Sequence, residues 1–210
     1  TADKNFVYAI NDANNSLVKI DKSSMSVFVS SYGSLGNGTT NSNLAHQIAM
    51  ATDPDGLLYI SDYGNNRLNV HDKKTLTAIK TFGTLGTGTT SMHAPTGIVK
   101  VGDNLYVGDD GNDRIAKISL ATFGFISEVN LDINTQGDIS LASDGESLYA
   151  AYNKLNDEFL YYQEVVLEKR TLGNDMSLLN RVVVRPINNV TLSTWTFRPD
   201  IAIVGKFIFI

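Results

Sequence analysis

Cysteine is absent from this 210-residue sequence. That excludes disulfides, thiolate metal sites and cysteine nucleophiles, and it fits both a reducing cytosol and an exported or virion protein that avoids thiol chemistry. Histidine is scarce, with His46, His71 and His93 alone, whereas a histidine zinc site needs about three ligands converging on one point. Long apolar runs are also missing: each is short and broken by Asp, Gly or Asn, well under the roughly 20 residues of a membrane helix. No membrane insertion is expected. Positive charge is in deficit, 17 Lys and Arg against 22 Asp and Glu, for a formal charge of -5. Without a basic field to gather phosphates, nucleic acid is disfavoured as a partner. Residues Thr1 to Asn5 lack the basic and then apolar organisation of a signal peptide, which a mature chain would already have lost, so targeting is not legible. Glycan-acceptor triplets at Asn14, Asn37 and Asn189 carry little weight in a chain so rich in Asn, Ser and Thr.

What is present is repetition, the first thing to seek in a chain with 42% apolar content and room for a core. Residues 57–72 read LLYISDYGNNRLNVHD, residues 104–119 read NLYVGDDGNDRIAKIS and residues 6–21 read FVYAINDANNSLVKID, aligned without a gap. A fourth copy from Ser147, SLYAAYNKLNDEFLYY, keeps the strand and loses the turn. The anchoring tyrosines Tyr8, Tyr59, Tyr106 and Tyr149 lie 51, 47 and 43 residues apart, close to the length of one propeller blade. Each unit reads as an antiparallel meander. First strands are predicted at Gln47–Ala51, Gly97–Val101 and Asp138–Ala142, the Tyr strand comes second, and fourth strands fall at Ser26–Ser30, Thr77–Phe82 and Phe125–Leu131. Between second and third strands lie Asp62-Tyr63-Gly64-Asn65-Asn66 and Asp109-Asp110-Gly111-Asn112-Asp113, whose Gly and Asn suit the positive φ of tight hairpins. The fold expected is all-β, a β-propeller of four-stranded antiparallel blades. The units run approximately 5–44, 45–94, 95–136 and 137–198, with the start of another at 199–210.

These residues carry a resemblance to the NHL-repeat β-propellers, whose blades look like P-x-G-I, a D-x-D-G turn and L-Y-V-x-D-x-G-N-x-R-I. The chain has Pro95-Thr96-Gly97-Ile98, Asp53-Pro54-Asp55-Gly56, and Asp62-x-Gly64-Asn65-Asn66-Arg67-Leu68 repeated as Asp109-x-Gly111-Asn112-Asp113-Arg114-Ile115. The match is specific over residues 5–120; the first unit has Asn11, Ala13 and Ser16 where Asp, Gly and Arg are expected. Members of the family bind protein or RNA and, in a minority, catalyse reactions, so the resemblance implies a fold more than a function. The recurring Asp and Arg are read as a structural ion pair or turn cap, because a binding site breaks the symmetry of a propeller.

Asp3-Lys4-Asn5 align with the turn between strands one and two, so the first blade is expected to start at its second strand, with Asp200–Val204 supplying the missing strand beside Phe6–Ile10 and closing a four-bladed ring. Phe207–Ile210 reads as a competing second strand and an exposed edge. Two explanations fit: the chain is a segment of a propeller of about six blades, which is favoured, or the last strand pairs elsewhere, on a partner chain.

No catalytic constellation stands out: there is no Gly-x-Ser-x-Gly elbow, no EF-hand loop, and no Lys-Ser/Thr closing Gly33–Gly38 or Gly83–Gly88. His46 and His93 are placed near one rim, where ordinary polar loop residues or a binding role are preferred to a metal, and Asp53, Asp55, Asp109, Asp110 and Asp113 to turns rather than calcium. No cofactor and no metal are expected. SYGSLGNGTTNSNLAHQIA and TFGTLGTGTTSMHAPTGIV are repeated inter-blade loops, read as plain connectors in preference to a polar binding rim. The fourth unit departs most, with Tyr161, Tyr162 and Arg170 in Asp157–Arg185, which reads either as an elongated hairpin that docks a neighbour or as a divergent blade whose aromatics fill its own core. The function expected is a non-catalytic binding or assembly module for a protein partner or for itself, extracellular or in a virion rather than cytoplasmic. The alternative is a propeller enzyme of metal-dependent lyase or lactonase type with its site in the central channel.

Overall fold

The computed structural model describes residues 1–11, 16–30, 34–35, 43–44, 47–53, 56–131, 138–155, 163–184, 201–204 and 207–209. The chain divides into two compact units, Thr1–Lys100 and Val101–Ile210.

In the first unit, β1 (Phe6–Asn11), β2 (Ser16–Asp21) and β3 (Val27–Ser30) form an antiparallel sheet in chain order. The place beside β1 is not empty: Thr1 and Tyr8 exchange backbone hydrogen bonds at 2.9 and 3.1 Å, and Ala2 bridges Val7. Residues 1–3 thus lie beside Val7 and Tyr8, a pairing that a tight local turn closes at little entropic cost. After β4 (Ser34–Leu35) and β5 (Asn43–Leu44), a short parallel pair, comes a complete meander, β6 (Gln47–Thr52), β7 (Leu57–Asp62), β8 (Arg67–Asp72) and β9 (Ala78–Phe82). Leu58, Ile60 and Leu76 of that sheet pack with Tyr8 and Leu17 in one core.

The division of the chain falls inside β10 (Pro95–Val101), first strand of the sheet that continues as β11 (Asn104–Asp109), β12 (Arg114–Ser119) and β13 (Gly124–Asn130). The fourth meander is β14 (Ser140–Ser143), β15 (Ser147–Leu155), β16 (Gln163–Thr171) and β17 (Leu178–Val184). Its β15 and β16 have nine residues each, paired from Ser147↔Thr171 to Leu155↔Gln163. Within Asp157–Arg185, β16 and β17 pair as an antiparallel hairpin from Val165↔Val184 to Arg170↔Leu178, and β16 also forms the long pairing with β15. Two short strands, β18 (Ala202–Val204) and β19 (Phe207–Phe209), pair with each other, and Ile201 and Ile203 pack on Tyr149, Ala151 and Leu167.

Each anchoring tyrosine stands opposite the same place on the third strand: Tyr8↔Lys19, Tyr59↔Val70, Tyr106↔Lys117 and Tyr149↔Lys169. The period-2 alternation explains why: the tyrosine strands carry their apolar residues into the sheet faces, and a one-residue slip would turn every one of them over.

Candidate functional site

The polar residues that repeat from blade to blade are consumed by the fold. Between β7 and β8, Tyr63–Asn65 form one 3-10 turn and Asn66 closes it at φ 55; between β11 and β12, Asp110–Asn112 and Asp113 (φ 50) do the same. The positive φ falls on Asn66 and Asp113, not on the glycines, because an Asx side chain tolerates the left-handed region and the glycines sit inside the 3-10 turn. Asp62 Oδ2 then accepts from Arg67 Nε at 2.9 Å, Asn65 Nδ2 at 3.0 Å and Asn69 Nδ2 at 2.8 Å. Asp109 Oδ2 accepts from Arg114 Nε at 2.8 Å and Asn112 Nδ2 at 2.8 Å. Both carboxylates and both guanidiniums are buried. In the fourth blade, whose sequence lacks the Asp-x-Gly-Asn pattern of that turn, a buried pair forms along β16: Glu168 accepts from Tyr152 Oη at 2.9 Å and from Arg170 Nε at 2.7 Å.

A second device uses the tyrosines. Tyr8, Tyr59 and Tyr149 donate to Asp3, Asp53 and Asp144 at 3.0, 2.6 and 2.8 Å. The other oxygen of each carboxylate caps the turn, taking the backbone N–H of Phe6, Leu57 and Ser147 respectively. Burial alone would raise the Asp3 carboxyl, but the N–H groups of Phe6 and Asn5, the Tyr8 hydroxyl and Lys73 outweigh it and bring it down to about 2. Val101 stands at the corresponding place in the third blade, and Tyr106 Oη turns to Leu172 O instead, at 2.7 Å.

The turn between strands three and four repeats as well. Asp21 and Asp72 cap it through Oδ1, and an apolar residue follows in the left-handed region: Met25 (φ 54), Leu76 (φ 60), Phe123 (φ 51) and Met176 (φ 43). This turn reaches toward a lysine on the neighbouring third strand. Lys19 Nζ donates to Lys73 O at 3.2 Å in the first unit, and Lys117 Nζ donates to Leu172 O and Asn174 Oδ1, both at 3.0 Å, in the second.

Where Lys19 meets the Lys73 turn, a cleft of about 680 Å³ opens at the outer edge of the first unit, lined by Lys4, Phe6, Lys19, Lys73 and Lys74 among others. Its floor is aromatic: Lys19 Nζ lies 4.1 Å from the Phe6 ring centroid and 5.8 Å from that of Tyr8. Lys19 is buried, and Lys73 Nζ bonds Asp53 O at 2.8 Å and Asp3 Oδ2 at 3.2 Å, while Lys4 and Lys74 are exposed. Desolvation lowers Lys19 from the usual lysine range, Asp3 acting against it and Lys73 and Lys74 with it. The three carboxylates that line the cleft, Asp3, Asp53 and Asp72, are turned to backbone N–H groups. The cleft can hold an anion beside an apolar group.

Of the residues singled out in the sequence, Tyr161, Tyr162 and His46 lie outside the described residues, as do Pro54, Asp55 and Trp195. His93 is exposed beside Ala94, whose N–H donates to Asn66 Oδ1 at 2.8 Å. Arg170 is buried, and besides Glu168 it bonds Met176 O at 2.9 Å. Its neighbour two residues back, Glu168, lies on the same face of β16 and draws it inward. The Lys19 cleft escaped the sequence, although two of the Asp/Tyr pairs that cap turns, Asp3/Tyr8 and Asp53/Tyr59, place Asp3, Tyr8 and Asp53 in its lining.

No protein-family model and no curated protein matches the chain. Solved structures do. Hydrazine synthase of Kuenenia stuttgartiensis aligns with a TM-score of 0.66 at 16% identity, over 87% of this chain and 47% of its own. The WD40 repeats of RRP9 align with a TM-score of 0.58 at 12% identity, over 85% and 47%. The dihydro-heme d1 dehydrogenase NirN, in complex with DHE, aligns with a TM-score of 0.54 at 10% identity, over 88% and 36%. The chain spans about half or less of the length of these structures. At such identities the likeness concerns the fold alone, and together with the four-stranded antiparallel meanders it defines the class: this is a β-propeller fold.

Proposed function

We propose that the chain is a non-catalytic β-propeller module of the NHL-repeat kind, which binds a protein partner or assembles with itself in a secreted, surface or virion structure. One observation carries this reading. The Asp and Arg side chains that recur like a site, Asp62 with Arg67 and Asp109 with Arg114, are buried and bond each other, which supports a structural rather than a catalytic role for them. The repeat is broken at the Lys19 cleft and at the long β15–β16 pair, whose connecting residues 156–162 carry Tyr161 and Tyr162. Tyrosine supplies large contact area at low entropic cost, which suits docking.

The test is assembly. Replacing Tyr161 and Tyr162 with Ser is expected to abolish association, read by light scattering on a sizing column or by capture of a known partner, with the thermal midpoint unchanged. Unchanged association contradicts the hairpin's role. Metal analysis of the purified protein bears on the catalytic question: stoichiometric, tightly held zinc or calcium would overturn the non-catalytic reading.

A further inference from the structure

The fourth strand of each meander ends its sheet, and one of these edges lacks the features that keep edges apart. An edge strand presents a row of backbone N–H and C=O groups to any chain able to pair with it, and folded proteins blunt such edges by shortness or by charge. β3 has only four residues, β9 carries the exposed Lys80, and β13 carries the exposed Glu128. β17 has seven residues, LLNRVVV, with β16 on one side and no strand on the other among the described residues. Leu178, Leu179, Val182 and Val183 are 48, 55, 49 and 40% exposed, whereas β9 and β13 expose one large apolar side chain each, Ile79 and Ile126. The single charge of β17, Arg181, has its Nε 3.8 Å from Glu168 of the neighbouring strand. The pairing with β16 also tells which backbone groups of β17 face outward. Arg181 stands opposite Glu168, and its N–H is taken by the Asn180 side chain at 2.8 Å. Alternate residues of an antiparallel ladder direct their N–H and C=O the same way, so Arg181 and Val183 offer theirs to the outer side. Leu179 is the extra residue of a bulge opposite Lys169 and Arg170 and falls out of that row.

We infer that β17 pairs with β17 of a second copy of this chain, antiparallel, about a two-fold axis at Val182. Two-fold symmetry requires one residue to stand opposite itself. Were it Arg181, two guanidiniums would meet, and like charges directly opposed are destabilising. Were it Asn180, the bulged Leu179 would have to supply the hydrogen bonds. With Val182 on the axis, Arg181 of one copy and Val183 of the other exchange them on both sides, the two guanidiniums stay apart, and valine meets valine. A second copy is favoured over a foreign strand because this one register satisfies the outward groups of both strands, and because it closes: the same patch is used twice and no free edge is left over. This inference rests on the reading of the chain as a module that assembles with itself, and adds the strand at which two copies meet.

The absence of cysteine makes the test direct, because a single introduced thiol can join only two copies. Opposed residues between hydrogen-bonded pairs of an antiparallel ladder have Cα atoms about 4.5 Å apart, within the range of a disulfide. The full 210-residue chain with Val182→Cys is therefore expected to form a disulfide-linked dimer under mild oxidation. It should do so at least about tenfold faster than Val183→Cys, whose counterpart in this register is Arg181, and than Ile126→Cys on β13. Light scattering of the unsubstituted chain is expected to show a dimer that dissociates on dilution. Val182→Lys, which sets two ammonium groups opposite each other, should weaken that dimer by about tenfold or more, and Ile79→Lys on β9 should leave it unchanged. All these positions are exposed, and the thermal midpoint of each variant verifies its folding. A monomer at every concentration, species larger than a dimer, or equal cross-linking at positions 182, 183 and 126 would overturn the inference. Association kept in Val182→Lys but lost when Tyr161 and Tyr162 are replaced rejects this contact and leaves the module reading. Stoichiometric zinc or calcium in a chain that still cross-links at position 182 rejects the non-catalytic reading and leaves the contact.

Discussion

Asp53 and Tyr59 show how a single pair of side chains can hold a blade. The carboxylate caps its turn through Leu57 N–H and takes the Tyr59 hydroxyl at 2.6 Å, both residues being buried. Tyr59→Phe keeps the ring and strands one carboxylate oxygen, so a loss of about 1–3 kcal/mol is expected in chemical denaturation, the cost of an unmet buried acceptor. Asp3, in the same role beside Tyr8, contributes to the acid limit of the fold. Asp3 is held at about 2, below its unfolded value of about 4, so the unfolded chain takes the proton first. The stability this provides is complete above about pH 4 and is lost as the pH falls through 2. His71 adds an earlier step of the same sign: burial lowers its ring below the ordinary value, against the Leu76 carbonyl. Stability should therefore begin to decline below about pH 6.5, where an unfolded His71 protonates. A denaturation series from about pH 8 to below 2 checks both steps, and in His71→Gln the first should vanish.

At the scale of the element, the turn between third and fourth strands was the least legible. Its apolar residue in the left-handed region runs against propensity, since a bulky side chain there costs about 1–2 kcal/mol. Burial explains the exception at Leu76 and Met176, which are fully buried, and fails to explain it at Met25, which is 74% exposed. Leu76→Ala is expected to cost about 2–5 kcal/mol, whereas Met25→Gly should stabilise by about 1 kcal/mol by relieving strain that nothing offsets; thermal or urea unfolding of the two variants measures the contrast. The strand positions themselves were readable, because alternating apolar residues around each tyrosine admit one register. The fourth blade was readable only in part. Its ion pair joins Glu168 and Arg170 along one strand rather than across a turn, so the turn signature that marks Asp62 and Arg67 has no counterpart there. Gly83 marks another hidden constraint: at φ +102, a Cβ would meet Met92 Cγ at 2.8 Å and the Arg67 Cα at 3.3 Å. In the sequence it was one glycine of a loop.

For the whole molecule, the repeat carries the fold, and the proposed docking role is assigned to the places where it is interrupted. The recurrence of the tyrosine strand at 51, 47 and 43 residues was enough to expect blades. The cleft was not visible, because Lys19 and the Lys73 turn are 54 residues apart and nothing in either segment announces the other. The central claim is that four homologous meanders share one pairing, and cross-strand NMR contacts between backbone protons test it most directly. Tyr8 with Lys19, Tyr59 with Val70, Tyr106 with Lys117 and Tyr149 with Lys169 should each give the contact of directly opposed antiparallel residues. A register shifted by one residue in any of the first three pairs, or helical connectivity in its place, would contradict the account.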